Sequence, residues 1–175
     1  MVSGMEISEL AFTVLSEQSN LALFHCSEPE LDGFLIDDAL KDQDSRLSVT
    51  RLVYWHGELV GYFTIVNSAI KNDLVNFGDG EEEYRYNYYP ALKIARLATD
   101  AHYEKRGIGR AMLQRTLAIA LNLSNYSGCR FITVDAKKDS IGFYKKYGFK
   151  IPESMGNDMN SRDSIPLYRD LNRNY

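Results

Sequence analysis

Two glycines and three basic residues stand together where an apolar run gives way to a long helical pattern: Lys105, Arg106, Gly107, Gly109 and Arg110. The first N–H groups of a helix have no partner within the helix and carry partial positive charge, which suits a phosphate group. Glycine lets the backbone approach such a ligand closely. Basic side chains at this end of a helix oppose its dipole unless an anion is recruited. The pattern therefore predicts a diphosphate-binding segment, which we call the diphosphate turn (Lys105–Arg110).

The glycines alone do not define this site, because a G-x-G pair also begins helices that bind no phosphate. The third glycine of a dinucleotide-binding fingerprint is absent, and no G-K-S or G-K-T follows the turn. The neighbouring basic residues favour a phosphate site over a purely structural turn. The predicted site is thus neither a Rossmann fingerprint nor a P-loop.

A second candidate segment is aromatic and contains Phe143, Tyr144, Tyr147, Gly148 and Phe149. A phenol has an ordinary pKa of about 10 and a thiol one of about 8.5, so Tyr144 could protonate a departing thiolate. An adjacent Phe-Tyr pair is also common in protein cores, and we interpret Phe143 as a core residue. Gly148 suits the position that follows a helix.

Alternating strands and helices would position these residues. Leu113, Leu117 and Leu121 recur every fourth residue, which predicts the longest helix. The four predicted elements around the two segments are a strand over Leu92–Thr99, a helix over Gly107–Leu123, a strand over Arg130–Ala136 and a helix over Ser140–Lys146.

The remaining pattern adds strands and one more helix. Pro29 suits the first turn of a helix that opens at Glu28, and His56-Gly57-Glu58 predicts the link of a β-hairpin. The segment Asn67–Tyr89, which we call the flap, is predicted to be a loop. Further strands are predicted over Ile7–Val14, Leu47–Trp55, Leu59–Val66 and Ile165–Leu171, with another beginning at Gly148–Ile151 and a polar loop at Met155–Ser164. These elements predict a mixed α/β fold in a single domain over residues 1–175.

The composition excludes several classes of protein. The chain has 175 residues with 20 Lys+Arg and 24 Asp+Glu, and its net charge of -4 argues against generic attraction to nucleic acid or an anionic membrane. Cys26 and Cys129 form no disulfide framework, so we expect both to be reduced and buried. The N-terminal segment lacks a signal-peptide pattern and no apolar run is long enough for a membrane span, which predicts a cytoplasmic protein.

Two motifs together resemble the GNAT superfamily of N-acetyltransferases. Glu104–Leu113 resembles its coenzyme A motif, with the pattern Q/R-x-x-G-x-G/A, and Phe143–Phe149 resembles its late F-Y-x-x-x-G-F signature. The order and separation of the two motifs make the combination specific, and the resemblance extends over nearly the whole chain. Phe24–Ser27 and Leu31–Ala39 further resemble the first helix of a subfamily related to toxins that acetylate aminoacyl-tRNA.

The resemblance implies a mixed, mostly antiparallel, twisted sheet of about six to seven strands flanked by helices. A central pair of strands, those predicted over Leu92–Thr99 and Arg130–Ala136, would splay apart around the pantetheine arm of acetyl-coenzyme A. Acetyl-coenzyme A would be the acyl donor, and a neutral amine would attack its thioester directly without a metal. The residues implied to contact the coenzyme are Leu97, Ala98, Thr99, Lys105, Arg106, Gly107, Ile108, Gly109, Arg110, Ser140, Phe143 and Tyr144.

Two of these residues are implied to be catalytic. The main-chain N–H of Leu97 would polarise the thioester carbonyl, and Tyr144 would protonate the leaving thiolate. The backbone of Leu97–Thr99 would bind the pantetheine arm, and the N–H groups of the diphosphate turn would bind the diphosphate.

Three departures from the family pattern leave the general base open. Glu104 replaces the usual Gln or Arg, and Lys93 stands where some members carry a catalytic glutamate. Lysine cannot act as that base without a large depression of its pKa. The asparagine often found before the Phe-Tyr helix is absent from Lys137–Ser140. The remaining candidates are water, His102, Glu104, an acid of the flap, or a substrate amine that arrives neutral.

Arg96 has two interpretations. It comes directly before the predicted pantetheine-binding backbone, so it could recognise a phosphate or carboxylate of the acceptor. Equally, it could be an arginine at the strand edge that pairs with Asp100. The sequence favours neither.

The acceptor amine is not identified by the sequence. The flap combines acids with tyrosines, a composition that suits a cationic acceptor such as a polyamine or a lysine-bearing peptide. The alternative is a solvated charge run, with tyrosines that pack the flap or a homodimer interface. These residues are Asp79, Glu81, Glu82, Glu83, Tyr84, Tyr86, Tyr88 and Tyr89.

The sequence therefore predicts an N-acetyltransferase for a small-molecule or peptide amine. Toxin-like acetylation of aminoacyl-tRNA is the first alternative, although the acids of the flap argue against a nucleic acid. The second is a catalytically idle module that binds acyl-coenzyme A, which the unassigned base would fit. Tyr144 and the complete diphosphate turn argue against this module.

Overall fold

The computed structural model describes residues 5–173, which form two compact units. Residues 5–66 and 95–116 make the first unit, and residues 67–94 and 117–173 make the second. A six-stranded sheet has the strand order β1-β2-β3-β4-β5-β6. The strands are β1 (Leu10–Val14), β2 (Val49–Trp55), β3 (Glu58–Lys71), β4 (Tyr88–Thr99), β5 (Phe131–Lys137) and β6 (Ser164–Asp170). The predicted mixed, mostly antiparallel fold is confirmed.

The helices are short, with one exception. They are α1 (Pro29–Gly33), α2 (Ala39–Asp44), α3 (Ile108–Leu123) and α4 (Ile141–Lys146). A π-helical turn, Phe34–Asp38, lies between α1 and α2. The 3₁₀ turns are Ile7–Glu9, Asn72–Leu74, Ala101–Tyr103, Lys138–Ser140 and Glu153–Ser161.

Strand pairing follows the hairpin prediction. β1 and β2 are antiparallel, as are β2 and β3, whereas β4 and β5 pair in parallel over Ala91–Ile94 and Phe131–Val134. The link between β2 and β3 has positive φ at both His56 (49°) and Gly57 (85°). Two such residues in succession give the tight turn that suits the twist of a two-residue hairpin.

An apolar core in the first unit forms where α1, the π turn and α2 cover one face of the strands. Leu35, Leu52, Tyr62 and Ala98 are buried there together with Phe24. The hydroxyl of Tyr62 donates to the carbonyl of Leu31 at 2.7 Å, which satisfies its polar atom inside the core. The phenol therefore fixes the first helix on the sheet.

Gly61 in β3 permits close packing on the opposite face. A Cβ atom at this position would lie 3.1 Å from the carbonyl oxygen of Ala98 and 3.1 Å from Cγ2 of Ile108. These distances are shorter than ordinary van der Waals contacts. The missing side chain therefore lets both β4 and the start of α3 approach β3.

The predicted leucine stripe of α3 is only partly buried. Leu113 is buried and Leu117 is partly buried, whereas Leu121 is 48% exposed. The most buried positions recur as Ile108, Met112, Thr116 and Ala120. Thr116 donates its hydroxyl to the carbonyl of Met112 at 2.9 Å, so a polar residue lies on the buried face.

An ion-pair network and an aromatic cluster stabilise the second unit. Arg130 bonds both carboxylate oxygens of Asp170, at 2.7 Å and 3.1 Å, and also contacts Glu81 and the carbonyl of Gly80. Asp170 is 0% exposed, so this arginine neutralises a fully buried charge. The aromatic cluster beside it contains Tyr84, Tyr89, Phe131 and Tyr168.

Four local predictions were wrong in detail. The segment predicted as a strand over Ile7–Val14 begins with a 3₁₀ turn, and β3 and β4 extend into both ends of the predicted loop Asn67–Tyr89. Lys150 forms a single bridge with Tyr168 instead of the strand predicted from Gly148. The predicted loop Met155–Ser164 is largely 3₁₀.

No helix in residues 5–173 has the length and apolar character needed to cross a membrane.

Candidate active site

The predicted pantetheine-binding residues lie at the end of β4 in the first unit. Ala98 is buried, and Leu97 and Thr99 are partly buried on either side of it. The N–H of Asp100 donates to the carbonyl of Val60 at 3.0 Å, which ties the end of β4 to β3. The structure thus holds these three residues on a fixed strand immediately before the diphosphate turn.

Asp100 organises the chain that follows this strand, a role that sequence reasoning missed. It is only 3% exposed and accepts the N–H of His25 at 3.0 Å, the N–H of His102 at 2.9 Å and Nδ1 of His102 at 3.0 Å. Burial raises the pKa of this carboxyl, but these hydrogen bonds outweigh burial and leave the pKa below its ordinary value. Asp100 is therefore a carboxylate committed to the backbone, and it does not pair with Arg96.

The diphosphate turn has the open backbone that an anion site requires. Lys105 and Gly107 have positive φ values of 61° and 89°. The N–H of Ala111 donates to the carbonyl of Gly107 at 3.0 Å, but the N–H groups from Gly107 to Arg110 have no acceptor within residues 5–173. Such converging, unpaired N–H groups form a concavity that binds anions.

Three side chains add full positive charge to this turn. Lys105, Arg106 and Arg110 are exposed, and the guanidinium of Arg106 lies 5.2 Å from the ring centroid of Tyr103. Glu104, the residue that departs from the family pattern, is also exposed. The first unit therefore brings together the predicted strand backbone and the whole predicted diphosphate turn.

The second unit holds the other predicted coenzyme residues on or beside α4. Tyr144 is 6% exposed, and its ring contacts Phe143 and Phe149 at centroid distances of 5.1 Å and 5.4 Å. Burial raises the pKa of the Tyr144 phenol well above its ordinary value, so this group stays protonated at neutral pH. Phe143 is only partly buried, which corrects its interpretation as a core residue, and Ser140 directly precedes the helix.

Lys93 is paired within its unit, whereas His102 stays a candidate for the general base, because within residues 5–173 only one of its ring nitrogens is bonded. Nζ of Lys93 bonds Oδ2 of Asp135 at 2.6 Å, and this ion pair keeps the amine occupied. The imidazole of His102 is exposed and its Nδ1 is bonded to Asp100. Across residues 5–173 no group of three or more His, Cys, Asp or Glu residues could hold a metal ion.

The two cysteines differ from each other in burial. Cys26 is buried and Cys129 is partly buried, and both are free thiols. Burial is the largest influence on the Cys26 thiol and raises its pKa to about 11. Neither thiol is therefore a ready nucleophile at neutral pH.

Internal contacts pair two of the four flap acids with basic residues. Asp79 bonds Nζ of Lys150 at 3.0 Å and accepts the hydroxyl of Tyr168 at 2.9 Å, while Glu81 pairs with Arg130, which it shares with Asp170. Glu81, Glu82 and Glu83 are exposed. The flap is thus held by its acids instead of presenting all of them at its surface.

Two of the four flap tyrosines are packed within the protein and two are exposed. Tyr84 stacks on Tyr89 with centroids 3.7 Å apart, and its hydroxyl donates to the carbonyl of Tyr88. Tyr86 and the side chain of Tyr88 are exposed. Packing therefore accounts for two of the four tyrosines.

Comparison with known proteins identifies relatives of the chain. A GNAT acetyltransferase domain model matches residues 52–151. A tRNA-acetylating toxin from Mycobacterium tuberculosis (strain ATCC 25618 / H37Rv) is 25% identical over 141 residues, covering 78% of this chain and 82% of the toxin.

Two solved structures have the same fold. AtaT complexed with acetyl-methionyl-tRNAfMet matches with a TM-score of 0.80 and 18% identity, over 92% of this chain and 94% of that chain. A mutant AtaT toxin bound to the C-terminus of the antitoxin AtaR and acetyl-CoA matches with a TM-score of 0.71 and 19% identity, over 93% of each chain.

The domain match spans more than half of the chain and confirms the predicted family, fold and class of enzyme. The activity is acetyl transfer from acetyl-CoA, so the catalytically idle module is set aside. The roles of individual site residues stay predictions. The chain belongs to the GNAT acetyltransferase family.

Proposed function

We propose that this enzyme acetylates the amino group of an aminoacyl-tRNA, which was the alternative to a small-molecule or peptide acceptor. The relative from Mycobacterium tuberculosis is a tRNA-acetylating toxin, and the AtaT structure contains an acetyl-methionyl-tRNA. The structural observation that carries the choice is the internal pairing of Asp79 and Glu81. It takes Asp79 out of the flap surface and pairs the exposed Glu81 with a cation, which weakens the acidic surface that favoured a cationic acceptor.

The reaction needs four events on this chain. The N–H groups of the diphosphate turn hold the diphosphate of acetyl-CoA, and the main-chain N–H of Leu97 polarises the thioester carbonyl. The neutral amine attacks that carbon, and the C–N bond forms as the C–S bond breaks. Tyr144 gives its proton to the departing thiolate, the nitrogen loses a proton to water, and water returns a proton to the Tyr144 phenolate.

A dedicated base is not required for this acceptor. An α-amino group has a pKa of about 8, so roughly a tenth of it is neutral at pH 7. The ion pair between Lys93 and Asp135 supports a mechanism without a base at that position. Product release and the neutral amine fraction would then shape the pH dependence of turnover.

Labelled acetyl-CoA tests the acceptor. The enzyme is incubated with charged tRNA, uncharged tRNA, spermidine or a lysine-bearing peptide, and the label in each acceptor is counted. We expect label in charged tRNA, and none in uncharged tRNA. Faster acetylation of spermidine or of the peptide, with charged tRNA unlabelled, would contradict the proposal.

Tyr144→Phe tests the proton donor. Because the phenol acts only when the C–S bond breaks, turnover should fall about 100-fold while the affinity for acetyl-CoA changes less than about twofold. Tyr147→Phe is the matched control, since Tyr147 ends the same helix and its ring also contacts Phe143. Equal turnover of Tyr144→Phe and the wild type would remove Tyr144 from the mechanism.

The likeness to AtaT also supports a protein partner. One AtaT structure holds the C-terminus of an antitoxin, and a dedicated inhibitor of the same kind for this chain is part of the proposal.

A further inference from the structure

Arg96 carries a charge for which the first unit provides no carboxylate. It lies in β4 directly before Leu97 and is partly buried. Nη1 donates to the carbonyl of Ala95 at 2.8 Å, whereas Nε is buried without a hydrogen-bond partner. Within residues 5–173 Arg96 forms no ion pair. Its Nη2 group, which is not buried and has no acceptor within residues 5–173, therefore remains available to a ligand.

Leaving a guanidinium partly buried and unpaired is unfavourable, because it loses water without gaining an opposite charge. Asp100 was the partner in one of the two interpretations of Arg96, but its oxygens accept from His25 and His102. The protein thus keeps an unneutralised cation at a fixed place on β4. Such a group is a candidate for binding an anion that arrives with the substrate.

Phe34 supports this cation. The guanidinium carbon lies 4.8 Å from the centroid of the Phe34 ring, which covers the group and restrains its orientation. Phe34 is also the first residue of the π-helical turn between α1 and α2. Turns of this kind are rare and are frequent at functional sites. The ring holds the guanidinium in place, so the Nη2 donors face a ligand in a fixed orientation.

The proposed acceptor restricts which anion this can be. In an aminoacyl-tRNA the carboxyl group of the amino acid is esterified and carries no charge. The anions nearest the reacting amine are therefore the backbone phosphates at the 3′ end. A phosphate offers the paired oxygens that match an arginine fork.

We infer that Arg96, supported by Phe34, binds a backbone phosphate at the 3′ end of the acceptor tRNA. This inference rests on the proposed function. Arg96 is a specificity-determining residue in this arrangement, since it contacts the acceptor away from the bond that forms. It favours a charged tRNA over an amine of similar reactivity that lacks phosphate.

The experiment compares two acceptors that carry the same amino acid: charged tRNA and aminoacyl-adenosine, which has no phosphate. For Arg96→Gln we expect kcat/KM with charged tRNA to fall about 10- to 100-fold, mainly through KM. The value with aminoacyl-adenosine should stay within about twofold of the wild type. Arg96→Lys should recover only part of the loss, because lysine keeps the charge but not the fork.

Arg51→Gln is the matched control. Arg51 lies in β2 and is another partly buried arginine whose Nε has no hydrogen-bond partner, but it contacts no ring in the way that Arg96 does. Its kcat/KM with both acceptors should stay within about twofold of the wild type. Thermal unfolding checks each variant. If Arg96→Gln does not fold, Phe34→Leu takes its place. Its kcat/KM with charged tRNA should fall by a smaller factor, while its kcat/KM with aminoacyl-adenosine should stay unchanged.

Three outcomes would overturn the inference. An equal fall with both acceptors would place Arg96 in the reaction centre or in the fold, and no fall with either would leave it without a role. A wild type that acetylates aminoacyl-adenosine but not charged tRNA would overturn the proposed function together with this inference. An active wild type with an unchanged Arg96→Gln variant overturns the inference alone.

Discussion

The diphosphate turn and the flap both carry many polar groups, but the structure uses them in opposite ways. In the turn, the N–H groups from Gly107 to Arg110 have no acceptor within the described part of the chain. In the flap, Asp79 and Glu81 bond to Lys150 and Arg130. Polar groups already bonded to the protein stabilise its fold, whereas groups left without a partner are available to a ligand.

Whether polar groups are already paired distinguishes a surface that can bind a ligand from one that stabilises the fold. Amino-acid composition alone does not make this distinction. The flap looked like a binding surface because it concentrates acids and tyrosines. The turn is predicted to be the binding surface, because it combines unpaired N–H groups with exposed cations. Each of the following changes acts on one region and uses the other as its control.

The largest expected effect is on coenzyme affinity. Gly107 and Gly78 have nearly equal φ values, 89° and 87°, so glutamate at either position adds the same bulk, charge and backbone strain. Gly107→Glu should weaken coenzyme A binding about 100-fold or more, because its carboxylate faces the diphosphate. Gly78→Glu should leave that affinity unchanged. Calorimetric titration with coenzyme A measures both.

Backbone strain should lower the free energy of unfolding of both glycine variants by about 1–3 kcal/mol. Urea unfolding therefore separates strain from lost binding. If Gly78→Glu weakens coenzyme A as much as Gly107→Glu, the contrast between the two regions is wrong.

The next effect is on stability. Arg130→Met leaves the fully buried carboxylate of Asp170 without its cation, and the free energy of unfolding should fall by about 3–5 kcal/mol. Arg110→Met removes an exposed cation of the turn and should change that free energy by less than about 0.5 kcal/mol, while coenzyme A affinity falls about tenfold. Urea unfolding and calorimetry together test the pair. Similar stabilities for both variants would contradict the structural role of Arg130.

The smallest effect is on acid sensitivity. Burial raises the pKa of Asp170, but hydrogen bonds from Arg130, Gly80 and Asn172 outweigh burial and leave the pKa below its ordinary value. A carboxylate of this kind stabilises the fold above its unfolded pKa of about 4, and that stability is lost as the pH falls through the folded pKa.

Asp170→Asn should therefore be less stable at pH 7 but should lose less stability on acidification. The difference in slope is at most about 1.4 kcal/mol per pH unit. Urea unfolding between pH 7 and pH 3 measures it. Parallel pH profiles for the wild type and the variant would show that Asp170 does not titrate with folding.

Local patterns predicted much of this fold. The hairpin at His56-Gly57 follows from residues that tolerate positive φ, and the long helix follows from leucine spacing. The leucines gave only part of the buried face of that helix, because Leu121 is exposed and Thr116, whose hydroxyl is satisfied within the helix, is buried. Sequence spacing marks a helix well, but it cannot show that a polar residue has an internal partner.

Sequence analysis could propose the parts of the site whose residues are adjacent in the chain. Glycines and basic residues adjacent in sequence marked the diphosphate turn. Asp100 was missed because its first partner, the N–H of His25, is distant in sequence. The pairing of Asp79 with Lys150 was missed for the same reason. Contacts between residues distant in sequence decide which charged groups are unpaired, and a short sequence motif contains no information about such contacts.

The missing side chain of Gly61 affects two parts of the predicted coenzyme site. Its position touches the carbonyl of Ala98 on the strand and Cγ2 of Ile108 at the start of α3. A larger residue would push on the strand and the helix at once. A substitution at this position would therefore alter the predicted pantetheine-binding strand and the start of the predicted diphosphate-binding helix together. A compensating substitution would have to change both neighbours.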